Sequence, residues 1–246
     1  MKKIKNILFV LCLLPLAAFA SGVEVKLDHA PIQTTDKLSL QRGAQTFVNY
    51  CLTCHSADYM RYNRLSDLGL SEKQISDNLI FTGQKTGELM HTAMVKKEAK
   101  IWFGVPPPDL SVIARSRGAD WLYTYLRQFY RDDSTATGWN NLAFDRAAMP
   151  HVFYQLQGEQ ILKVSVVDDG HGGKHEVKTL ELTKPGTLSK TEFDKQVADL
   201  VNYLVYLGEP AAAYRVQLGI VVMLFLFFML GLAYALKHEY WRDVHH

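Results

Sequence analysis

Cys51-Leu52-Thr53-Cys54-His55 is the stretch of this chain whose residue types and spacing can do chemistry. It is a C-x-x-C-H pentapeptide, the pattern of a covalent haem c attachment site. Two thiols add across the haem vinyl groups as thioethers, and the adjoining imidazole reaches the iron from one face. The two intervening residues let the cysteines meet vinyls on neighbouring pyrrole rings while His55 turns beneath the porphyrin. A redox dithiol, a structural disulfide or half of a zinc site would use the same letters. A dithiol prefers a strand-to-helix setting, and a zinc site needs a second ligand pair. Cys12 is the only other cysteine, so no such pair exists, and one covalent haem is expected if the chain reaches an oxidising compartment.

Iron in a haem has two axial positions, and His55 supplies one. Filling both suits electron transfer, whereas an open position suits gas binding or catalysis. The other candidates are Met60, Met90, Met94, Met149, His91, His151, His171 and His175. Met60 is close to His55 in sequence, and Met90 and Met94 lie in a stretch compatible with a helix, where methionine commonly fills core space. His171 and His175 belong to a turn-rich hairpin and are expected in solvent. Met149 follows Ala147-Ala148 in a long loop and precedes Pro150, which stiffens the chain there. It leads the field, with His151 second and Met94 third. A thioether ligand favours ferrous iron and a relatively high potential. Arg115, Arg117, Arg127 and Arg131 surround the apolar middle of the domain and are candidates to meet haem propionates. Asp132-Asp133 and Asp168-Asp169 would serve either as turn residues or as attraction for a basic partner.

The elements that position these residues are mostly helical. Leu40, Ala44, Phe47, Val48 and Cys51 recur at helical spacing from Ser39, the expected N-cap, directly into the haem motif. Ser71-Glu72-Lys73-Gln74 is a capping box for a short helix carrying Ile75, Leu79 and Ile80. Trp102 to Leu110 contains three consecutive prolines and predicts a rigid extended wall, with Asp109 as a cap for the segment after it. Asp120 to Tyr130 predicts a helix, and 131–150 a long polar loop. Ile161 to Val167 and Glu176 to Leu182 flank turn chemistry and predict an inserted β-hairpin. Ser189-Lys190-Thr191-Glu192 opens a last soluble helix, which Gly208 and Pro210 close.

Both ends point to a membrane. Met1 to Ala20 has a charged head (Lys2, Lys3, Lys5), an apolar middle and Ala18-Phe19-Ala20 at the expected cleavage position, so it reads as a signal peptide. Without those three lysines the formal charge falls from +2 to −1, which removes the electrostatic case for nucleic-acid binding. A charged fraction of 21% and a hydrophobic fraction of 48% are those of a folded protein. Val216 to Leu236 is long and apolar enough to cross a bilayer, with Arg215 and Lys237 at its edges and Tyr240 and Trp241 suited to the interface. The expected layout is a signal at 1–20, a haem domain at 21–210, a transmembrane helix at 215–236 and a short cytoplasmic tail at 237–246. That layout places the haem domain in the periplasm, anchored to the bacterial inner membrane.

Several segments together resemble the cytochrome c1 family, the haem c subunit of the ubiquinol–cytochrome c reductase (bc1 complex), in its proteobacterial form. They are Tyr50-Cys51-Leu52-Thr53-Cys54-His55-Ser56, Met60-Arg61-Tyr62-Asn63-Arg64, Trp102-Phe103-Gly104 leading into Pro107-Pro108-Asp109-Leu110-Ser111, Ala148-Met149-Pro150 and the C-terminal anchor. The resemblance implies a class I cytochrome c fold, mostly α, with thioethers at Cys51 and Cys54 and iron ligation by His55 and Met149. It also implies propionate contact by Arg117 and a haem-lining place for Pro108. It further implies partnership with cytochrome b, an electron received from the Rieske iron–sulfur protein and an electron passed to a c-type cytochrome, with no bond chemistry on this chain. The long acidic surface of mitochondrial relatives has no counterpart here. The competing readings are a free-standing membrane-anchored monohaem carrier and a haem enzyme; a dihaem peroxidase would need a second C-x-x-C-H.

Overall fold

The computed structural model describes residues 26–168 and 174–243. The expected signal segment, the hairpin turn with His171, and the last three residues lie outside them.

Two helices form the frame. Helix α1 (Lys37–Tyr50) runs into the haem motif, and α7 (Lys190–Gly208) crosses it. They share the core through Leu40, Ala44, Phe47, Val197, Leu200, Val201 and Leu204, all buried. Phe47 meets Tyr203 with ring centroids 5.6 Å apart. The close approach depends on Gly43, because a Cβ there would stand 2.1 Å from the Asp199 carbonyl oxygen. Beside that point the Asp199 carboxylate accepts from Ser39 Oγ at 2.6 Å and Arg42 Nε at 2.6 Å, and pairs with Lys195. Asn202 then joins Ser39 to the incoming chain at Gln33.

Helix α1 is capped three residues earlier than expected. Its cap is Asp36, whose Oδ1 accepts from Leu38 N and Ser39 N, which frees the Ser39 hydroxyl for the buried Asp199. Between the frame helices come β1 (Ala57–Arg61), a 3-10 segment (Tyr62–Leu68), α2 (Glu72–Leu79), β2 (Leu89–Met90) and α3 (Lys96–Phe103). Ser71 forms the full capping box of α2, as Ser189 does for α7. Trp102 and Phe103 belong to α3 and not to the extended wall, because the Pro restriction reaches back only one residue, to Val105. Gly104, at φ 79°, ends that helix.

Helices α4 (Ile113–Arg117) and α5 (Ala119–Arg127) come after the proline wall. Asp109 closes a local turn by accepting from Ser111 N at 2.8 Å, and α4 has no side-chain cap. Phe129 and Tyr130 leave the helix for strand β3 (Phe129–Arg131), which pairs antiparallel with β4 (Trp139–Asn141). The polar stretch 131–150 therefore holds a strand of its own, with Trp139 and Asn141 buried against the domain. After the short helix α6 (Tyr154–Gln157), β5 (Gly158–Asp168) and β6 (Lys174–Pro185) form a two-stranded antiparallel ribbon, longer at both ends than the alternation suggested.

Helix α8 (Ala212–Trp241) is a separate object. Its apolar run, Tyr214–Trp241, has a mean hydropathy of 2.5 over its most apolar window, none of it buried. By length and composition it can cross a membrane. At 1.5 Å per residue its 28 residues reach about 42 Å, so the helix continues past Leu236 through the first residues of the expected tail. Among the described residues the protein is mostly α, with three small antiparallel strand pairs and one C-terminal apolar helix.

Candidate haem site

The Cys51–His55 segment is a tight turn at the end of α1. Cys54 N and His55 N both donate to the Cys51 carbonyl, at 3.0 and 2.8 Å. Both thiols are free, Cys51 buried and Cys54 half-buried. Burial pushes the Cys51 thiol up to about 12, with the neighbouring Cys54 adding to it; Cys54 is raised by burial too.

His55 Nδ1 lies 2.8 Å from the Pro108 carbonyl oxygen. A carbonyl only accepts, so Nδ1 carries the proton and the Nε2 lone pair is left for a metal. Burial lowers the His55 pKa, against the opposing pull of the Pro108 bond and the Asp109 charge, so the neutral ring is favoured. The proline wall is itself tied to the haem segment. Leu110 N donates to Ser56 O at 2.8 Å, and Asp109 Oδ2 accepts from Asp58 N at 2.9 Å. Pro107 and Asp109 also line a small cavity with Cys54, Ser56, Met94 and Lys96.

The methionines separate by environment. Met60 and Met90 are core residues, and Met90 Sδ receives the Tyr203 hydroxyl at 3.5 Å. Met90 stands in β2 and Met94 in the loop before α3, so neither is helical. Met149 is half-buried and packs against both the main core, which includes Cys51 and Leu52, and a smaller cluster of Phe129, Trp139 and Ala147. His151 is only 2% exposed. It stacks on Phe129 at 5.1 Å and meets Trp139 edge-on at 5.0 Å, so it backs the Met149 loop. Burial holds its pKa down to about 4. His91 bonds Asp58 at 2.7 Å.

The four arginines divide in the same way. Arg127 pairs with Asp194 and Asp28, and Arg131 with Glu159 while lying over Trp139. The Arg115 stem packs on Gly208. Arg117 lies 5.1 Å over Trp121 and 5.9 Å over Phe144, and among the described residues no carboxylate pairs with it. Asp132 is a turn residue, held below the usual carboxylate range by the Ser134 hydroxyl, Asn140 and Ser134 N. Asn140 and Asn141, which hold the loop leading to Met149, were not identifiable from sequence. Their only signal is two adjacent amides in a polar stretch.

A thiol pair beside a neutral imidazole with a free Nε2 is what covalent attachment of a haem c uses, and Met149 and Arg117 offer a thioether and a guanidinium that no carboxylate among the described residues pairs. The chain matches the Cytochrome C1 family over residues 28–244. It is 48% identical to "Cytochrome c1" of Allochromatium vinosum over 96% of each chain. It is 30% identical to "Cytochrome c1" of Rhodospirillum rubrum, over 86% of this chain and 84% of that one. A relative from Nitrosomonas europaea, 62% identical over the whole of both chains, is named "Ammonia monooxygenase gamma subunit".

Proposed function

Since this chain belongs to the cytochrome c1 family, a membrane-anchored electron-transfer subunit carrying one covalent haem c at Cys51 and Cys54, we propose that it takes an electron from the Rieske iron–sulfur protein and passes it to a c-type cytochrome. In this reading His55 and Met149 would hold the iron, and the Pro108 carbonyl fixes the His55 tautomer. Arg117 holds a propionate. Cytochrome b is the membrane neighbour, and the haem domain lies in the periplasm with the anchor in the inner membrane.

The observation that carries the reading is the His55–Pro108 bond. It aims one imidazole nitrogen away from the wall and raises its basicity as a ligand. The bound haem supplies the one-electron couple; the chain's own residues hold and orient it. With His55 and Met149 both holding the iron, no position would be left for a substrate, and the chain would carry electrons without bond chemistry.

Met149→Leu is expected to keep covalent haem, lower the midpoint potential and open the ferrous iron to carbon monoxide. An unchanged potential overturns Met149 as ligand. Extraction in mild detergent tests the assembly: b-type haem and an iron–sulfur protein should co-purify, with a reduced-minus-oxidised spectrum showing both haem types. A clean monohaem protein would instead be the free-standing carrier. The name of the Nitrosomonas europaea relative raises a second assembly, and co-purification with monooxygenase subunits in place of b-type haem would favour it.

A further inference from the structure

We infer that Asn140 is a positioning residue for the iron's sulfur ligand, acting through the backbone of Arg146; the inference rests on Met149 being that ligand. The Asn140 side chain is buried, the residue being 4% exposed, and all its hydrogen-bonding capacity is used. Its Nδ2 donates to Asp132 Oδ2 at 2.9 Å and to Asp145 Oδ1 at 3.0 Å. Its Oδ1 accepts from Asn141 N at 2.8 Å and Arg146 N at 2.8 Å. Two donors and two acceptors are all a primary amide has, so no other side chain of that size can replace it.

The Arg146 bond is the informative one. Arg146 has φ 56°, the one non-glycine residue at positive φ among the described residues. A side chain disfavours this left-handed conformation, and the Asn140 acceptor offsets that cost by holding the Arg146 N–H. The chain then reverses into Ala147, 4% exposed against Phe129 and Trp139, and three residues after Arg146 comes Met149. Asn141 secures the same loop from its other side. Its Oδ1 accepts from Ala143 N and Phe144 N, and its Nδ2 donates to the Tyr125 carbonyl at the end of α5. The Met149 sulfur is thus placed by a buried amide nine residues upstream, whose own bonds are all to the loop and its base.

The test uses the full-length holoprotein and three readouts: midpoint potential, the long-wavelength thioether-to-iron charge-transfer band of the ferric form, and carbon monoxide binding to the ferrous form. Asn140→Asp sets a third carboxylate against Asp132 and Asp145. It should lower the ratio of sulfur-bound to sulfur-free iron by about tenfold, the usual consequence of stranding a buried polar partner. The band weakens, the potential drops and carbon monoxide binds. The triple swap Asp132→Asn, Asn140→Asp, Asp145→Asn restores a donor to every acceptor and should recover all three readouts. Arg146→Pro cuts the same clamp from an exposed position by removing the N–H and forbidding positive φ, and decides the matter if Asn140→Asp yields no holoprotein. Gly43→Ala, destabilising at a distance, should leave the band intact. If Met149→Leu abolishes the band while Asn140→Asp and Arg146→Pro leave it unchanged, the positioning role is overturned. If Met149→Leu changes nothing, the ligand reading itself has failed and this role with it.

Discussion

Asp199 shows how a single buried charge holds the two frame helices together. Desolvation raises its carboxyl pKa, but the bonds from Arg42, Ser39 and Lys195 outweigh it and leave the value below normal. A carboxylate depressed in the folded state contributes stability above its unfolded value, about 3.9, and loses that contribution as pH falls through the folded value. Asp199→Asn is expected to cost about 2 kcal/mol, because Arg42 is left with a neutral partner but stays partly hydrated. That corresponds to a Tm lower by about 4–8 °C at neutral pH, and thermal scans should show a smaller further loss below about pH 4 than in the parent protein. At this scale the sequence was legible where chemistry is local. Cys51, Cys54 and His55 declare themselves by spacing. Asp199, Asn140 and the Pro108 carbonyl do not, because their roles depend on partners 157, 6 and 53 residues away.

The elements that could be read were those written in local code. The capping boxes at Ser71 and Ser189 mark helix starts correctly because cap and N3 residue are three apart. The cap of helix α1 was displaced by three residues because both Asp36 and Ser39 can cap, and only the tertiary position of Asp199 decides which is free. Phe129 and Tyr130 continue a helical pattern in sequence yet form a strand. Their partners, Asn141 and Asn140, lie beyond a turn that no periodicity records. The crossing of α1 and α7 is the element-level feature most sensitive to substitution. Gly43→Ala places a methyl 2.1 Å from a backbone oxygen and 2.6 Å from Tyr203 Cβ, so the helices must part. A loss of about 3 kcal/mol is expected, seen as a denaturation midpoint shifted with little change in slope.

As a whole, the molecule is a haem domain and a bare apolar helix joined through a short link at Glu209–Ala211. Helix α8 buries none of its most apolar window against the domain. A chain ended at Ala211 is therefore expected to leave the membrane fraction and keep the spectrum and thermal midpoint of the parent to within about 0.5 kcal/mol, the range for changes away from packed features. Loss of covalent haem on truncation would show that the anchor takes part in the domain's fold.

The burial of Cys51 also dictates an order of events in biosynthesis. The residue is 8% exposed at the end of α1, inside the core it shares with Phe47 and Leu52, and its thiol in that setting stays protonated and shielded. The closure of α1 on α7 shields the position at which a vinyl group would have to arrive. The thioether at Cys51 is therefore expected to form on an open chain, with the domain closing around the installed group. Apoprotein allowed to compact before haem is supplied should acquire the Cys51 bond more slowly than chain held unfolded, as peptide mass mapping of the two linkages over time would reveal. Equal rates would mean that the frame helices open readily. A slower Cys51 linkage in compact apoprotein would make maturation and folding of this cytochrome competing reactions.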